Sequence, residues 1–255
     1  MARYSRRLIL RVLLRLLLLT VLSAVPASAL TVEGWDSNDP TDPHNRWDMS
    51  GWDGSGSPDY STLGPNPNFA WSGHDWSGVG WGSTNARQSC AMISPRHFIC
   101  ANHFKLGGVG FYGVPGTFSV AGYHTLQYTD PYDGSTHTAD VVVGELTNAV
   151  PSSVKIYPVL ALGSDSDYVG REMVVYGWYG RVGLNVVDQF TIVDIPSVSE
   201  RDICLAYDYA PLDPATGRGD HEAWLVSGDS GSPSFMVHNR ELALVGEHFA
   251  HDPDD

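Results

Sequence analysis

Beyond residue 75 no stretch of this chain sustains the apolar spacing of a long amphipathic helix. Short runs rich in Val, Ile, Tyr and Phe alternate with clusters of Gly, Pro, Asp and Ser. The runs at 89–93, 97–101, 117–122, 140–147, 172–178, 188–195, 202–208, 233–238 and 241–249 are read as strands. Glycine and proline interrupt them because one has no side chain to pack and the other has no amide to donate. Strands this short leave unpaired edges unless the sheet closes on itself, so the pattern predicts an all-β domain of antiparallel barrel type.

Two segments ahead of that domain read differently. Arg3, Arg6, Arg7, Arg11 and Arg15 lead into the apolar run from Leu16 to Val25, followed by Pro26 and Ala27-Ser28-Ala29. A basic start, a short apolar core and a small-residue end mark a secretory signal peptide. Residues 1–29 are therefore expected to be removed after Ala29, and the mature protein to be secreted or periplasmic. The apolar run falls short of the ~20 residues a membrane span needs, so no membrane association is expected after cleavage. Without the five leader arginines, ten basic residues face 29 acidic ones, a net charge near −19. Such a charge repels nucleic acid and anionic lipid, and neither is an expected partner. Residues 30–74 form a Gly/Asp/Trp-rich arm, with Gly34-Trp35-Asp36, Arg46-Trp47-Asp48 and Gly51-Trp52-Asp53 along a stretch without apolar periodicity. It reads as a wrap anchored by its tryptophans, a pro-segment, or a glycan-stacking surface. Asp36, Asn38, Asp39 and Asp42 miss the ligand spacing of an EF-hand loop, and no metal or other cofactor is expected.

The cysteines are Cys90, Cys100 and Cys204. The stretch from Cys90 to Cys100 reads as a β-hairpin turning at Ser94-Pro95-Arg96, and pairing Ile93 with His97 sets Cys90 opposite Cys100. These two form either a cross-strand disulfide, which suits an exported protein, or a pair of small buried thiols. Cys204 is left as a free buried thiol.

The chemistry concentrates at Gly228-Asp229-Ser230-Gly231-Ser232-Pro233. Glycine on both sides lets the backbone approach a substrate and take turns closed to other residues, leaving the hydroxyl exposed. A hydroxyl is a weak nucleophile until an imidazole takes its proton, and the imidazole needs a carboxylate to hold its tautomer. The hexapeptide resembles the nucleophile turn of chymotrypsin-like (trypsin-like) serine proteases, in the secreted bacterial type. The stretch from Ile93 to Phe104 is similar to the family segment in which a hairpin delivers the base just past its second strand, which implies His103 as that base. His97, where the same strand begins, needs no catalytic role. Thr138-Ala139-Asp140-Val141-Val142-Val143-Gly144-Glu145-Leu146 is a looser match to the family's aspartate at the head of an apolar strand, implying Asp140 as the orienting carboxylate. Asp130 and Asp133 lie in a Pro/Gly turn and read as solvated. The order His, Asp, Ser separates this arrangement from subtilisins and α/β-hydrolases.

Val169 to Trp178 resembles the start of the family's second barrel, so the resemblance runs from roughly 75 to 250. It implies two antiparallel six-stranded β-barrels, with the protease domain at 75–255, barrel one at about 75–150 and barrel two at about 155–255. The last strand is followed closely by Asp255, so either the sequence is a fragment or the second barrel is incomplete at its C-terminus and closes differently, with the arm covering an open edge. The resemblance also implies an oxyanion hole from the Gly228 and Ser230 amides. Its substrate pocket has Trp224 at the floor position and His248 and Phe249 on the wall. A tryptophan gives no anionic floor for Lys or Arg, and the plainer reading of His248 is an ordinary polar strand residue. No Ile-Val-Gly-Gly-like start stands near residue 30, so Asp229 is expected to pair with a buried group or turn amide instead of a freed N-terminus. The implied activity is that of a monomeric serine endopeptidase acting on protein or peptide. The alternative is an inactive protease-fold module that binds polysaccharide or protein.

Overall fold

The computed structural model describes residues 30–249 except 55 and 196–199; the expected signal peptide lies outside them. After a two-residue strand in the arm, β1 (Thr31–Val32), six antiparallel strands build the first half. They are β2 (Val79–Gly82), β3 (Ser89–Met92), β4 (His97–Ala101), β5 (Gly108–Phe111), β6 (Val114–Thr129) and β7 (Thr136–Leu146). They close into a barrel in the order β2-β3-β4-β7-β6-β5. Closure leaves no free edge, which is how strands of four or five residues hold together here.

The hairpin β3–β4 has the expected register, with Ala91 opposite Ile99 and Met92 opposite Phe98. The disulfide is not formed: Cys90 and Cys100 are free thiols, each fully buried. They belong to the barrel interior with Met92, Phe98, Leu106, Val109 and Val142. Burial pushes the Cys100 thiol up to about 12 and raises the Cys90 thiol well above its ordinary value, which suppresses the thiolate that disulfide chemistry requires. Gly144, where the aspartate segment departs from its apolar pattern, faces the same interior. A methyl group there would meet the Phe98 ring at 2.1 Å, so the glycine makes room for the larger neighbour.

The second half is also antiparallel. Its strands are β8 (Glu172–Tyr176), β9 (Val182–Val186), β10 (Gln189–Ile195), β11 (Glu200–Ala206), β12 (Ala223–Trp224), β13 (Pro233–His238) and β14 (Glu241–Glu247). Four make one sheet in the order β14-β13-β8-β9, β10 and β11 form a separate hairpin, and β12 pairs with β1 of the arm. Among the described residues these sheets are not joined into one ring, in keeping with the expectation of an incomplete second barrel. The hairpin instead leans on β7 of the first barrel. Strands β2, β5 and β9 fall outside the expected set, and β6 is far longer than 117–122. One apolar core crosses between the halves, with Trp76, Val79, Ala91 and Tyr157 packed with Val174, Tyr176, Phe235 and Leu244.

The arm is packed. Trp47 is 1 % exposed in a cluster with Tyr60 and Leu63, and the buried Arg46 reaches the Val79 carbonyl at 3.3 Å and the Tyr176 hydroxyl at 3.4 Å. Its aspartates serve their own turns: Asp36, Asp39 and Asp42 accept the amides of Asn38, Thr41 and His44 at 2.8 Å each.

Candidate active site

The β4–β7 ladder sets Ala101 opposite Val141. One step farther, the Asn102 amide donates to the Asp140 carbonyl, and the His103 amide donates to Asp140 Oδ1 at 3.0 Å. The His103 ring then meets the same carboxylate, Nδ1 to Oδ2 at 2.8 Å. Strand register has thus brought together two residues 37 positions apart. The His103 side chain is 31 % exposed and that of Asp140 only 2 %. A carboxylate accepts, so Nδ1 carries the proton and Nε2 is left as the basic nitrogen.

Ser230 comes from the second half, on a turn with Gly228 at φ 113° and Gly231 at φ 78°, a region closed to ordinary side chains. This turn is seated against the first barrel. A methyl group on Gly231 would lie 2.9 Å from the Ala101 amide nitrogen, and the Ser232 and Ser89 hydroxyls bond at 2.7 Å. The serine therefore arrives at the end of β4 that leads into His103. The amides of Asp229, Gly231 and Ser232 donate to Val226, His248 and Asp229 carbonyls. Among the described residues, neither the Gly228 nor the Ser230 amide has an acceptor, and the Ser230 hydroxyl has no hydrogen-bond partner. Two unengaged amides beside a serine can receive an oxyanion, and nucleophile–base contacts commonly tighten only when substrate binds.

Asp229 pairs with turn amides, as expected. Its Oδ2 accepts the Val226 amide at 3.0 Å and its Oδ1 the Trp178 amide at 2.8 Å, as turn amides should. Oδ1 also accepts the main-chain nitrogen of Leu30 at 3.2 Å, the residue just past the expected cleavage point. Leu30 is fully buried. Burial pushes the Asp229 carboxyl up to about 6 against the pull of these amides and of Arg181.

Trp224, His248 and Phe249 line one cleft of about 1080 Å³, and the hairpin forms its other wall through Phe190, Leu205 and Tyr207. His248 is 5 % exposed, so it is no ordinary surface strand residue. Its Nε2 meets Ser234 Oγ at 2.9 Å, while Nδ1 has no partner among the described residues. Burial pushes this ring down to about 3, keeping it neutral.

The rival residues have local roles. His97 Nδ1 bonds Ser94 Oγ in its own turn at 2.7 Å. Asp130 is fully buried, not solvated as expected, and accepts the Tyr132 amide at 2.7 Å. Asp130, Asp133 and His137 offer ligand atoms within 4.8 Å of one another, the one such group of three among the described residues. Sequence reasoning missed Asp202, whose Oδ2 accepts the Asp140 amide at 2.5 Å. No local motif surrounds it.

No protein-family model and no curated protein matches the chain. Solved structures do. The NS6 protease of murine norovirus 1 aligns at 14 % identity and TM-score 0.42, covering 70 % of this chain and 85 % of that one. An inactive mutant of the murine norovirus protease, extended at its C-terminus, aligns at 14 % identity and TM-score 0.44, covering 70 % of this chain and 88 % of that one. A likeness this loose carries no argument about activity, and the all-β class stands on the chain's own strands.

Proposed function

We propose that this protein is an exported serine endopeptidase with His103, Asp140 and Ser230 as its triad. The observation that carries the proposal is the His103–Asp140 pair at 2.8 Å just past the end of β4, against which the Ser230 turn is seated. In the proposed reaction Ser230 Oγ attacks the peptide carbonyl carbon as its proton passes to His103 Nε2. The new oxyanion is held by the Gly228 and Ser230 amides, each such donor being worth ~3 kcal/mol. The C–N bond breaks as His103 returns the proton to the leaving amine, and water, deprotonated by the same ring, releases the acid from Ser230. Asp140 holds Nδ1–H throughout and stabilises the imidazolium. The cleft lined by Trp224, His248 and Phe249 is the proposed side-chain pocket.

The same reading covers maturation. Removal of residues 1–29 would turn the Leu30 nitrogen from an amide into an α-ammonium, already beside the buried Asp229 carboxylate. The inactive-module alternative would have to use Trp35, Trp52 and Trp71, which stay partly exposed, because Trp47 of the arm is buried in packing.

The test is a fluorophosphonate probe together with a diverse peptide library. Wild type is expected to be labelled and to cleave peptides, with Ser230→Ala unlabelled and Asp140→Asn down by about 10⁴ in kcat. Equal labelling of wild type and Ser230→Ala would sink the proposal.

A further inference from the structure

Asp202 stands on β11, in the hairpin that walls the cleft, yet one oxygen of its carboxylate reaches the first barrel. Oδ2 accepts the amide of Asp140 at 2.5 Å and Oδ1 accepts the amide of Ile203 at 2.8 Å. The reason lies in β7. On the β6 side the ladder pairs Thr125 with Val142 and Gln127 with Thr138, so residues 139–141 face Leu126 alone. A bulge of this kind leaves amides outside the ladder, and a buried amide without an acceptor is costly. Asp202 supplies the acceptor at the one residue that also grips the His103 ring.

Asp202 is 8 % exposed, and no cation among the described side chains pairs with it. Burial, and then the charge of Asp140, push its carboxyl above the ordinary range, while the bonded amides draw it down. A capping role alone needs no charge, since a neutral acceptor would serve it. A second carboxylate next to Asp140 also deepens the negative field in which an imidazolium forms.

Resting on the triad reading, we propose that Asp202 is a positioning residue: it pins the β7 bulge so that the Asp140 carboxylate meets His103 Nδ1, and its charge favours protonated His103. The hairpin thereby becomes part of the catalytic apparatus as well as a wall of the cleft.

The test is an NMR titration of His103 in the full mature chain carrying Ser230→Ala, with and without Asp202→Asn, alongside kinetics in the Ser230 background. Asparagine keeps an acceptor oxygen and removes the charge. The His103 midpoint is expected to fall by about half a pH unit or more, as the loss of a nearby opposite charge dictates. In the active background kcat is expected to fall about 10- to 100-fold with KM unchanged. Asp202→Ala carries the same expectation and serves if the asparagine variant does not fold. An unchanged His103 midpoint in a folded variant overturns the proposal whatever happens to kcat. The titration needs no activity, so a wild type that fails to cleave peptides would refute the protease reading separately. Among the described residues, Glu247 and Lys105 also act electrostatically on the Cys100 thiol beside Asp140, and both remain in the variants.

Discussion

His248 is the residue whose burial has the clearest consequence. Its ring is held near 3, whereas an unfolded histidine titrates near ~6.5. Between those values the unfolded chain binds the extra proton, so stability falls as pH drops through that window and is flat for this group above it. His248→Gln is expected to lessen that acid sensitivity, measured as the gap between urea midpoints at pH 7 and pH 4.5, and to raise KM more than it lowers kcat. Gly144→Ala is expected to destabilise by about 1–3 kcal/mol, because the Phe98 ring has no space to yield; thermal unfolding reads it. The triad candidates were legible at this scale because each sits in a short local string. Asp202 was not, since its bond spans 62 positions and depends on where a hairpin leans. Leu30 escaped for another reason: the contact is made by a main-chain nitrogen, which no side-chain motif announces.

Elements set those contacts. The β3–β4 register could be derived from the Ser94-Pro95-Arg96 turn, but the β4–β7 register that joins His103 to Asp140 has no local turn to fix it. Strands β2 and β5 are half glycine, Val79-Gly80-Trp81-Gly82 and Gly108-Val109-Gly110-Phe111, and so send a weak strand signal. The arm's first strand begins beside Asp229, whose folded value of about 6 stands above the ~3.9 of an unfolded aspartate. That raised value contributes stability in full below the unfolded value, and the contribution is lost as pH rises through about 6. An α-ammonium on Leu30 offsets the loss until it deprotonates near ~8. A chain beginning at Leu30 is therefore expected to exceed one retaining Ala27-Ser28-Ala29 by about 1.5–3 kcal/mol between pH 6 and 8, the scale of a hydrogen bond to a charged group. Asp229→Asn should abolish the difference, as paired thermal melts would show.

For the whole molecule the shared core matters most. Phe235 of the second half meets Tyr157 at 4.9 Å and Trp76 at 5.8 Å between ring centres. Phe235→Ala is expected to cost about 3–5 kcal/mol. Because one core serves both halves, tryptophan fluorescence and far-ultraviolet dichroism should lose signal in a single coincident transition; two separated transitions would contradict this. The double-barrel expectation was sound for the first half, where alternating runs and turns follow one another closely. For the second half the expectation included an incomplete barrel, and there β10 and β11 pair only with each other. The seat of the Ser230 turn has a mechanical meaning. Gly231 works as a spacing gauge: the gap between the halves is set by an absent methyl group, and any side chain added there becomes a shim that lifts the nucleophile away from its base.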